Sequence, residues 1–484
     1  MTPIRTLCGL LCLATTACTV GPDFVKPLDL SASEWHAQPR DVASRSTPAP
    51  LAHDWWSLFN DPQLSQLIQE AINHNLDLKI AVSRLTQSRI AGQVVGSSGL
   101  PQIGFDGDYD RKRNSQKGLN DPSGKQGKNA YDLWQSGLSA AWELDLWGKI
   151  RRQVEVADAH IEMAEHDRQA VQLAIVTTTA EQYLRLRGVQ ASLTMTEQNL
   201  AIAREALRLT NVRLAAGVAT RLAVAQAATQ LASTEAQLPA LVAEQTELIN
   251  HLSLLLAKPP YELAEQLGLP AALPTPPAQV PTGLPSELAE RRPDVQRASA
   301  ALHAATASIG VAKANFYPSI NLSGNIGLQS LSFNQLGSWD ARHFAIGPSL
   351  YLPIFQGGAL TGTLKLRKAQ HQEAAIDYQR TVLQAWHEVE NSLVQFHASQ
   401  KQQAALDLAV THSKQALGYA AQQYKQGTVD YLNVLTAQQT LLRSQQQQVA
   451  STTATSLAMV SLYKTLGGGW QVAATESGAA GLFN

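Results

Sequence analysis

Five carboxylates fall at every second position in two short runs, Asp106, Asp108 and Asp110 in the first, Glu143 and Asp145 in the second. Two carboxyl groups on one strand face are the minimum equipment for glycoside hydrolysis, one as acid and one as base or nucleophile. The same spacing also makes the polar side of a strand, because successive side chains point to opposite faces. What lies between the acids favours the second reading. Ile103, Phe105, Gly107 and Tyr109 alternate with the aspartates, and Trp142 and Leu144 with Glu143 and Asp145. No other catalytic set accompanies them. The twelve histidines are scattered without HExxH spacing, and there is no Walker loop and no GxSxG. His53, His74 and His160 read as polar surface residues. The chain is not expected to be an enzyme, and no metal or cofactor is expected.

The alternation recurs four times. After Pro101, the residues from Gln102 to Asp110 alternate, and Leu138, Ala140, Trp142, Leu144 and Leu146 alternate with Ser139, Ala141, Glu143 and Asp145. After Pro318, Ile320, Leu322, Gly324, Ile326 and Leu328 alternate with Ser319, Asn321, Ser323, Asn325 and Gln329. A last run sets Phe344, Ile346, Leu350, Leu352 and Ile354 against His343, Ala345, Gly347, Ser349 and Tyr351. Polar linkers, 111–130 and 330–342, separate the members of each pair. Strands of about ten residues with one apolar side mark outer-membrane barrels. Soluble hairpins are the alternative, but they seldom keep an apolar band on every strand. Open sheet edges are not tolerated in lipid, so other copies must complete the sheet. Two copies give an eight-stranded barrel filled by side chains; three give twelve strands, the smallest symmetric closure that leaves a lumen.

The chain says nearly the same thing twice. Asp77, Ala81, Leu85, Pro101, Ile103 and Gly107 correspond to Asp294, Ala298, Leu302, Pro318, Ile320 and Gly324. The stretch from Gly217 to Val224 likewise matches that from Gly427 to Val434. Each half opens with a helical stretch, Ile68 to about Ser97 and Leu288 to about Asn315, ended by proline. Each continues after its strands into a very long helix. From Ile150 to Ala215 and from Leu364 to Gln426 there is no proline and one glycine apiece, Gly188 and Gly418. At ~1.5 Å per residue such helices reach roughly 100 Å. Each meets a glycine turn, at Gly217 or Gly427, and a shorter helix returns. The first return carries a heptad seam at Leu231, Thr234, Leu238, Leu241, Gln245, Leu248, Leu252 and Leu255. Its counterpart, Leu441, Ser444, Gln448, Ser451, Thr455, Ala458, Leu462 and Thr465, is far more polar.

The N-terminus points to the compartment. One positive charge at Arg5, an apolar run from Leu7 to Ala14 and small residues before Cys18 make a secretory signal too short to span a bilayer. A cysteine directly after small residues resembles a bacterial lipobox, with Thr15 where Leu is usual, and implies lipidation of Cys18. Cys8 and Cys12 then leave with the signal, so no disulfide framework is expected. A formal net charge of −1 without basic runs argues against nucleic acid.

In this order, six motifs make nearly the whole chain resemble the TolC-like outer-membrane efflux family, in the lipoprotein branch that serves resistance-nodulation-division pumps. They are Cys18 to Phe24, Trp55 to Pro62, Arg292 to Val295, Phe316 to Ile320, Leu352 to Gly358 and Tyr424 to Gly427. The resemblance implies a mainly α homotrimer with a twelve-stranded outer-membrane β-barrel, four strands per chain, continuing into a periplasmic α-helical coiled-coil barrel. The implied function is the channel of a tripartite system, a passive duct for drugs or other small toxic compounds. It is anchored to outer-membrane lipid and coupled through a periplasmic adaptor to an inner-membrane pump. Gly217, Val218, Gly427 and Thr428 are the implied adaptor-contacting tip, and Tyr424, Asp430, Asn433 and Thr436 the implied gate. The family's acidic gate positions, six and nine residues after the turn glycine, are here Asn433 and Thr436. An acidic gate ring is therefore not expected, and cation preference should come from lumen-facing Asp106, Asp108, Asp110, Glu143 and Asp145.

The expected organisation is a signal peptide at 1–17, a lipidated segment at 18–66 and a first repeat at 67–257. An irregular connection follows at 258–287, then a second repeat at 288–466 and a tail at 467–484. Two alternatives remain at this stage: a duct for type I protein secretion, and a lipid-anchored trimeric coiled-coil structural protein.

Overall fold

A computed structural model describes residues 19–27, 35–36, 42–117 and 129–471. The signal segment, Cys18 and the last part of the tail lie outside the described residues. Among the described residues there are six strands: β1 (Arg45–Thr47), β2 (Gln102–Lys112), β3 (Tyr131–Leu144), β4 (Gln279–Pro281), β5 (Ser319–Ser330) and β6 (Arg342–Tyr351). Eight helices carry most of the chain: α1 (Pro62–His74), α2 (Leu76–Gly96), α3 (Lys149–Ala215), α4 (Arg221–Glu235), α5 (Leu238–Leu255), α6 (Pro293–Ala314), α7 (Ala359–Gln426) and α8 (Tyr431–Thr465). Short helical turns at Ala264–Leu267 and Leu288–Arg291 go unnumbered.

Two compact units emerge, and each takes segments from both repeats. One holds the N-terminal segment up to Pro27, Leu85–Ala164 and Ala298–Tyr378; the other holds Leu28–Arg84, Glu165–Arg297 and Gln379–Asn484. The long helices α3 and α7, of 67 and 68 residues, contribute to both.

The first unit contains the four-stranded antiparallel sheet, in the order β2-β3-β5-β6. Helices join every strand at the same end of this sheet, and at the other end β2 is followed by residue 113 and β3 begins after 130, while 331–341 connects β5 to β6. Beside the helix starts, the segment after Cys18 is packed down. The Val20 amide donates to the Trp147 carbonyl at 3.1 Å. Gly21, at φ +117°, lies so near Gly310 that a Cβ there would stand 2.5 Å from the Gly310 Cα. Asp23 meets the buried Arg152 at 2.6 Å, Arg152 also reaches Glu155, and Phe24 stacks on His303 at 4.6 Å. Val20 to Phe24, part of one of the six motifs that carry the family resemblance, is thus also a packing element.

The second unit has the larger core, around Trp55, Leu64, Tyr183, Leu252, Phe396 and Tyr463. Full burial of each such side chain is worth about 1.5–3 kcal/mol. Trp55 lies parallel to Tyr463 at 5.1 Å and donates its indole N–H to the Gly468 carbonyl. Asp61 caps α1 through the amides of Gln63 and Leu64 and accepts from the Tyr183 hydroxyl at 2.7 Å. Burial and that bond to Asp61 push the Tyr183 hydroxyl up to about 12. Arg292 ties Asp294 and Glu388 to the Thr465 carbonyl. The small parallel ribbon β1–β4 belongs here too. Ser44 and Ser46 of its N-terminal strand region bond Gln400 and His397 on α7.

Several boundaries differ from the sequence expectation. The stretch from Ile68 to Ser97 is two helices. Asn75 ends the first and caps the second, its side-chain oxygen accepting from the Leu78 amide while Nδ2 donates to the Leu255 carbonyl. The stretch from Leu288 also divides, because Pro293 holds Arg292 extended at ψ 119°. The first return is two helices as well. Pro239 in the first turn of α5 has no amide to continue the ladder of α4. Of its expected seam, Thr234, Leu248 and Leu252 are buried, and Leu231, Leu238 and Leu241 only half-buried. The second return, α8, is unbroken, and Leu441, Ser444, Ser451, Thr455, Ala458 and Leu462 are all buried. Strand β3 starts at Tyr131, earlier than expected, and ends at Leu144, so Asp145 and Leu146 lie past it. Strand β6 ends at Tyr351, leaving Leu352 and Ile354 outside it.

Candidate functional site

Residues paired across antiparallel strands share a face, so the register sorts every side chain of the sheet. Gln102, Gly104, Asp106, Asp108 and Asp110 stand opposite Ala141, Ser139, Gly137, Gln135 and Leu133. Beyond β3, Glu143, Ala141 and Ser139 stand opposite Asn321, Ser323 and Asn325, which in turn face Ser349, Gly347 and Ala345. This side is polar or small nearly throughout. The other side carries Ile103, Phe105, Leu138, Trp142, Leu322, Ile326, Phe344, Ile346 and Leu350. Phe105, Phe344 and Ile346 are 73%, 78% and 77% exposed. Apolar exposure on that scale on all four strands marks a contact with lipid or another chain.

The acidic set is less bare than the sequence suggested. Asp110 pairs with Lys112 at 2.6 Å and Glu143 with Lys149 at 3.0 Å. Asp106 accepts from the Ser139 hydroxyl at 2.7 Å. Asp145 is no strand residue. Its carboxylate accepts from the amides of Ile150 and Arg151 at 3.0 and 2.9 Å and meets the Arg151 side chain at 3.3 Å. It therefore stabilises the start of α3, where amides lack intrahelical partners and the helix dipole favours an anion. Lys112, Lys149 and Arg151 were missed because the strand faces were read without the residues just beyond their ends.

The other candidate site lies at the two helix turns. Gly217 and Gly427 have φ of +73° and +76°. Each closes a Schellman motif: Val218 and Thr428 donate to the carbonyls of Arg213 and Gln423, while the glycine amides donate to Leu214 and Tyr424. Thr428 adds a hydroxyl bond to the Gln423 carbonyl. Thr220 caps α4 through the Ala223 amide, whereas Asp430 makes no side-chain cap on α8. The turns are brought together by a small core of Ala223, Ala227, Tyr424, Tyr431, Val434 and Leu435. Tyr424 is buried within it, edge-on to Tyr431 at 5.7 Å. Burial, with Tyr424 alongside, raises the Tyr431 hydroxyl above its ordinary value. Asp430, Asn433 and Thr436 stand exposed along one side of the start of α8. The gate set thus divides into one buried ring and three surface polar groups.

The residue that sequence reasoning missed here is Arg213. Its guanidinium lies over the Tyr424 ring and donates to the Tyr424 carbonyl. The available signal was an arginine four residues before the turn glycine of one half, where the other half has Gln423.

Among the described residues, no helix is long and apolar enough to cross a membrane, and no group of three or more potential metal ligands converges. The model of the family described as outer membrane efflux protein matches residues 67–258 and 284–468. The probable efflux pump outer membrane protein TtgC of Pseudomonas putida KT2440 is 33% identical over 473 residues, 96% of each chain. The pyoverdine export outer membrane protein OpmQ of the same strain is 31% identical over 418 residues, 86% of this chain and 88% of its own. The solved outer-membrane channel OprN is 33% identical with a TM-score of 0.88, covering 94% of this chain and 100% of that one.

Proposed function

The protein belongs to the outer membrane efflux protein family and is the outer-membrane channel component of an efflux system, and on that premise we propose how its parts divide the work. Three copies join edge strands β2 and β6 into a twelve-stranded barrel, with the apolar side in lipid and the polar side toward the lumen. The observation that carries this is the register, which keeps one side polar and the other apolar across all four strands. Closure by copies satisfies the two strand edges that lipid cannot.

The helix turns form the periplasmic end that a membrane-fusion adaptor grips, linking the duct to an inner-membrane resistance-nodulation-division pump that drives transport. Exposed Val218, Leu222 and Leu432 (64%, 67% and 57%) beside Gly217 and Gly427 offer apolar contact of the kind a docking partner covers. Cargo is a small molecule, in keeping with relatives named for efflux pumps and for pyoverdine export. Cys18 carries the lipid anchor, immediately before Thr19, which packs on Gly148.

Purified protein should run as a heat-dissociable trimer and open pores in planar bilayers, and the gene should restore drug resistance to a strain lacking its efflux channel. A monomer without conductance would sink the proposal. Mass spectrometry should find acyl mass on Cys18; an unmodified terminus elsewhere would remove the anchor alone.

A further inference from the structure

The apolar side of the sheet ends differently at its two ends. Where the strands meet the helices it finishes in Ile103, Leu144, Ile320 and Leu350, and none of the four strands carries Lys or Arg on that side there. At the far end it finishes in Arg111, next to last on β2, and Arg342, first on β6. Both arginines share the face of Phe105 and Phe344 by parity, and both lie on edge strands.

Each guanidinium is held in place. Arg342 lies on the indole of Trp339 and donates Nε to the Trp339 carbonyl at 2.6 Å. Arg111 donates Nη1 to Asp132 at 3.2 Å, and the Tyr109 hydroxyl holds the same oxygen at 3.0 Å. Beside them Tyr109, Trp134 and Phe333 form a run of contacting rings, at 4.3 and 4.9 Å. Aromatic rings at this level are what a membrane–water boundary favours. This end of the face thus presents two guanidiniums on its edge strands, with Asp132 the carboxylate that Arg111 meets.

The geometry points to a binding site for the phosphorylated glycolipid of the outer leaflet, its phosphates on Arg111 and Arg342 and its acyl chains along Phe105, Phe344 and Ile346. A planar guanidinium presents paired donors that match phosphate oxygens. Charge complementarity and continuity with the apolar band both select an anionic lipid over a protein partner. The inference rests on the reading that the sheet spans the outer membrane with its helix end in the periplasm. Closure through β6 and β2 of neighbouring copies would then set both arginines along one seam, where a bound lipid bridges two protomers.

Native mass spectrometry of the detergent-purified protein, incubated with diphosphoryl lipid A, tests this. Wild type should retain the lipid about a hundredfold better than the Arg111→Gln, Arg342→Gln double variant, the scale of two lost charge-assisted contacts at about tenfold each. Monophosphoryl lipid A should fall between, and Lys112→Gln, on the polar side, should bind like wild type. Inorganic phosphate at the same concentration should not compete. Equal retention by the double variant overturns the inference, and displacement by inorganic phosphate reduces the site to a simple anion site, which also overturns it. Should the double variant fail to assemble, equal retention of mono- and diphosphoryl lipid by wild type has the same force. Trimer stability and conductance are read on the same samples. Wild type without pores refutes the channel reading, whereas an intact channel with charge-independent lipid retention refutes this inference alone.

Discussion

The guanidinium of Arg213 lies 4.4 Å from the ring centre of Tyr424 and donates to that residue's own carbonyl at 3.0 Å. The end of α3 is thereby bound to the end of α7 by a ring contact and a hydrogen bond at once. The Tyr424 hydroxyl and the Arg213 Nε are buried with no hydrogen-bond partner among the described residues, so the ring and the carbonyl do the binding.

Arg213→Ala should therefore loosen the two turns by about 2 kcal/mol, the sum expected for a partly buried cation–π contact and a charged hydrogen bond. Higher basal conductance and greater sensitivity to large antibiotics are the expected readouts. Tyr424→Phe should leave both unchanged, since the lost hydroxyl had no partner. Tyr424→Ala should resemble Arg213→Ala. A leaky Tyr424→Phe channel would show that the hydroxyl gates after all.

Gly427 has open space where a Cβ would stand, so only its positive φ restricts it. Gly427→Asn should retain adaptor crosslinking and resistance. Gly427→Val forces a β-branched residue into the left-handed region at about 1–3 kcal/mol and should weaken both while trimers still form. Equal behaviour of the two variants would mean that the turn's shape does not matter to docking.

Selectivity should follow the carboxylates that no neighbouring lysine or arginine pairs. Asp106→Asn with Asp108→Asn should reduce cation preference, measured as reversal potential across a salt gradient, and Lys112→Gln should increase it by freeing Asp110. Asp145→Asn should instead cost about 1 kcal/mol at the start of α3 and leave the reversal potential alone. Indifference to all of these would mean that salt screens the lumen wall within about 8 Å.

Burial, with Lys401 adding repulsion, holds the His397 imidazole below its usual pKa. A base that is harder to protonate when folded stabilises the fold fully above its unfolded value, about 6.5, and loses that contribution as pH falls through the lower folded value. Melting temperature should therefore drop more between pH 7.5 and pH 5 for wild type than for His397→Gln, which keeps a side chain able to bond Ser46. Parallel curves would remove His397 from the account.

The strands were legible because membrane strands are the extreme case of period-two patterning: nothing but face decides each residue. The seam of α8 was legible as well, buried at Leu441, Ser444, Ser451, Thr455, Ala458 and Leu462, though Gln448 within it turns to Asp407 and is only half-buried. The failures share a cause. Asn75, Pro239 and Asp145 each act on backbone amides at an element's end, and a pattern of apolar residues carries no record of where amides go unpaired. Pro239 could have been caught by its lack of an N–H. Arg213 could be singled out by its mismatch with Gln423, but not paired, because its partner lies 211 residues away.

The two turns also bear on what duplication made possible. Had the halves stayed identical, three copies would present six equivalent turns, each with the same residue before its glycine. With Arg213 and Leu214 repeated in both halves the arginine would have no tyrosine to cover, and with Gln423 and Tyr424 repeated the tyrosine would have no arginine. Here one half supplies Arg213 and Leu214, the other Gln423 and Tyr424. The ring of turns is thereby demoted from sixfold to threefold symmetry. In a homohexamer of half-length chains every turn would have to carry both the arginine and the tyrosine, so adjacent turns could not take separate parts. Two halves in one chain let neighbouring turns differ, so that one carries the arginine and the next the tyrosine it covers.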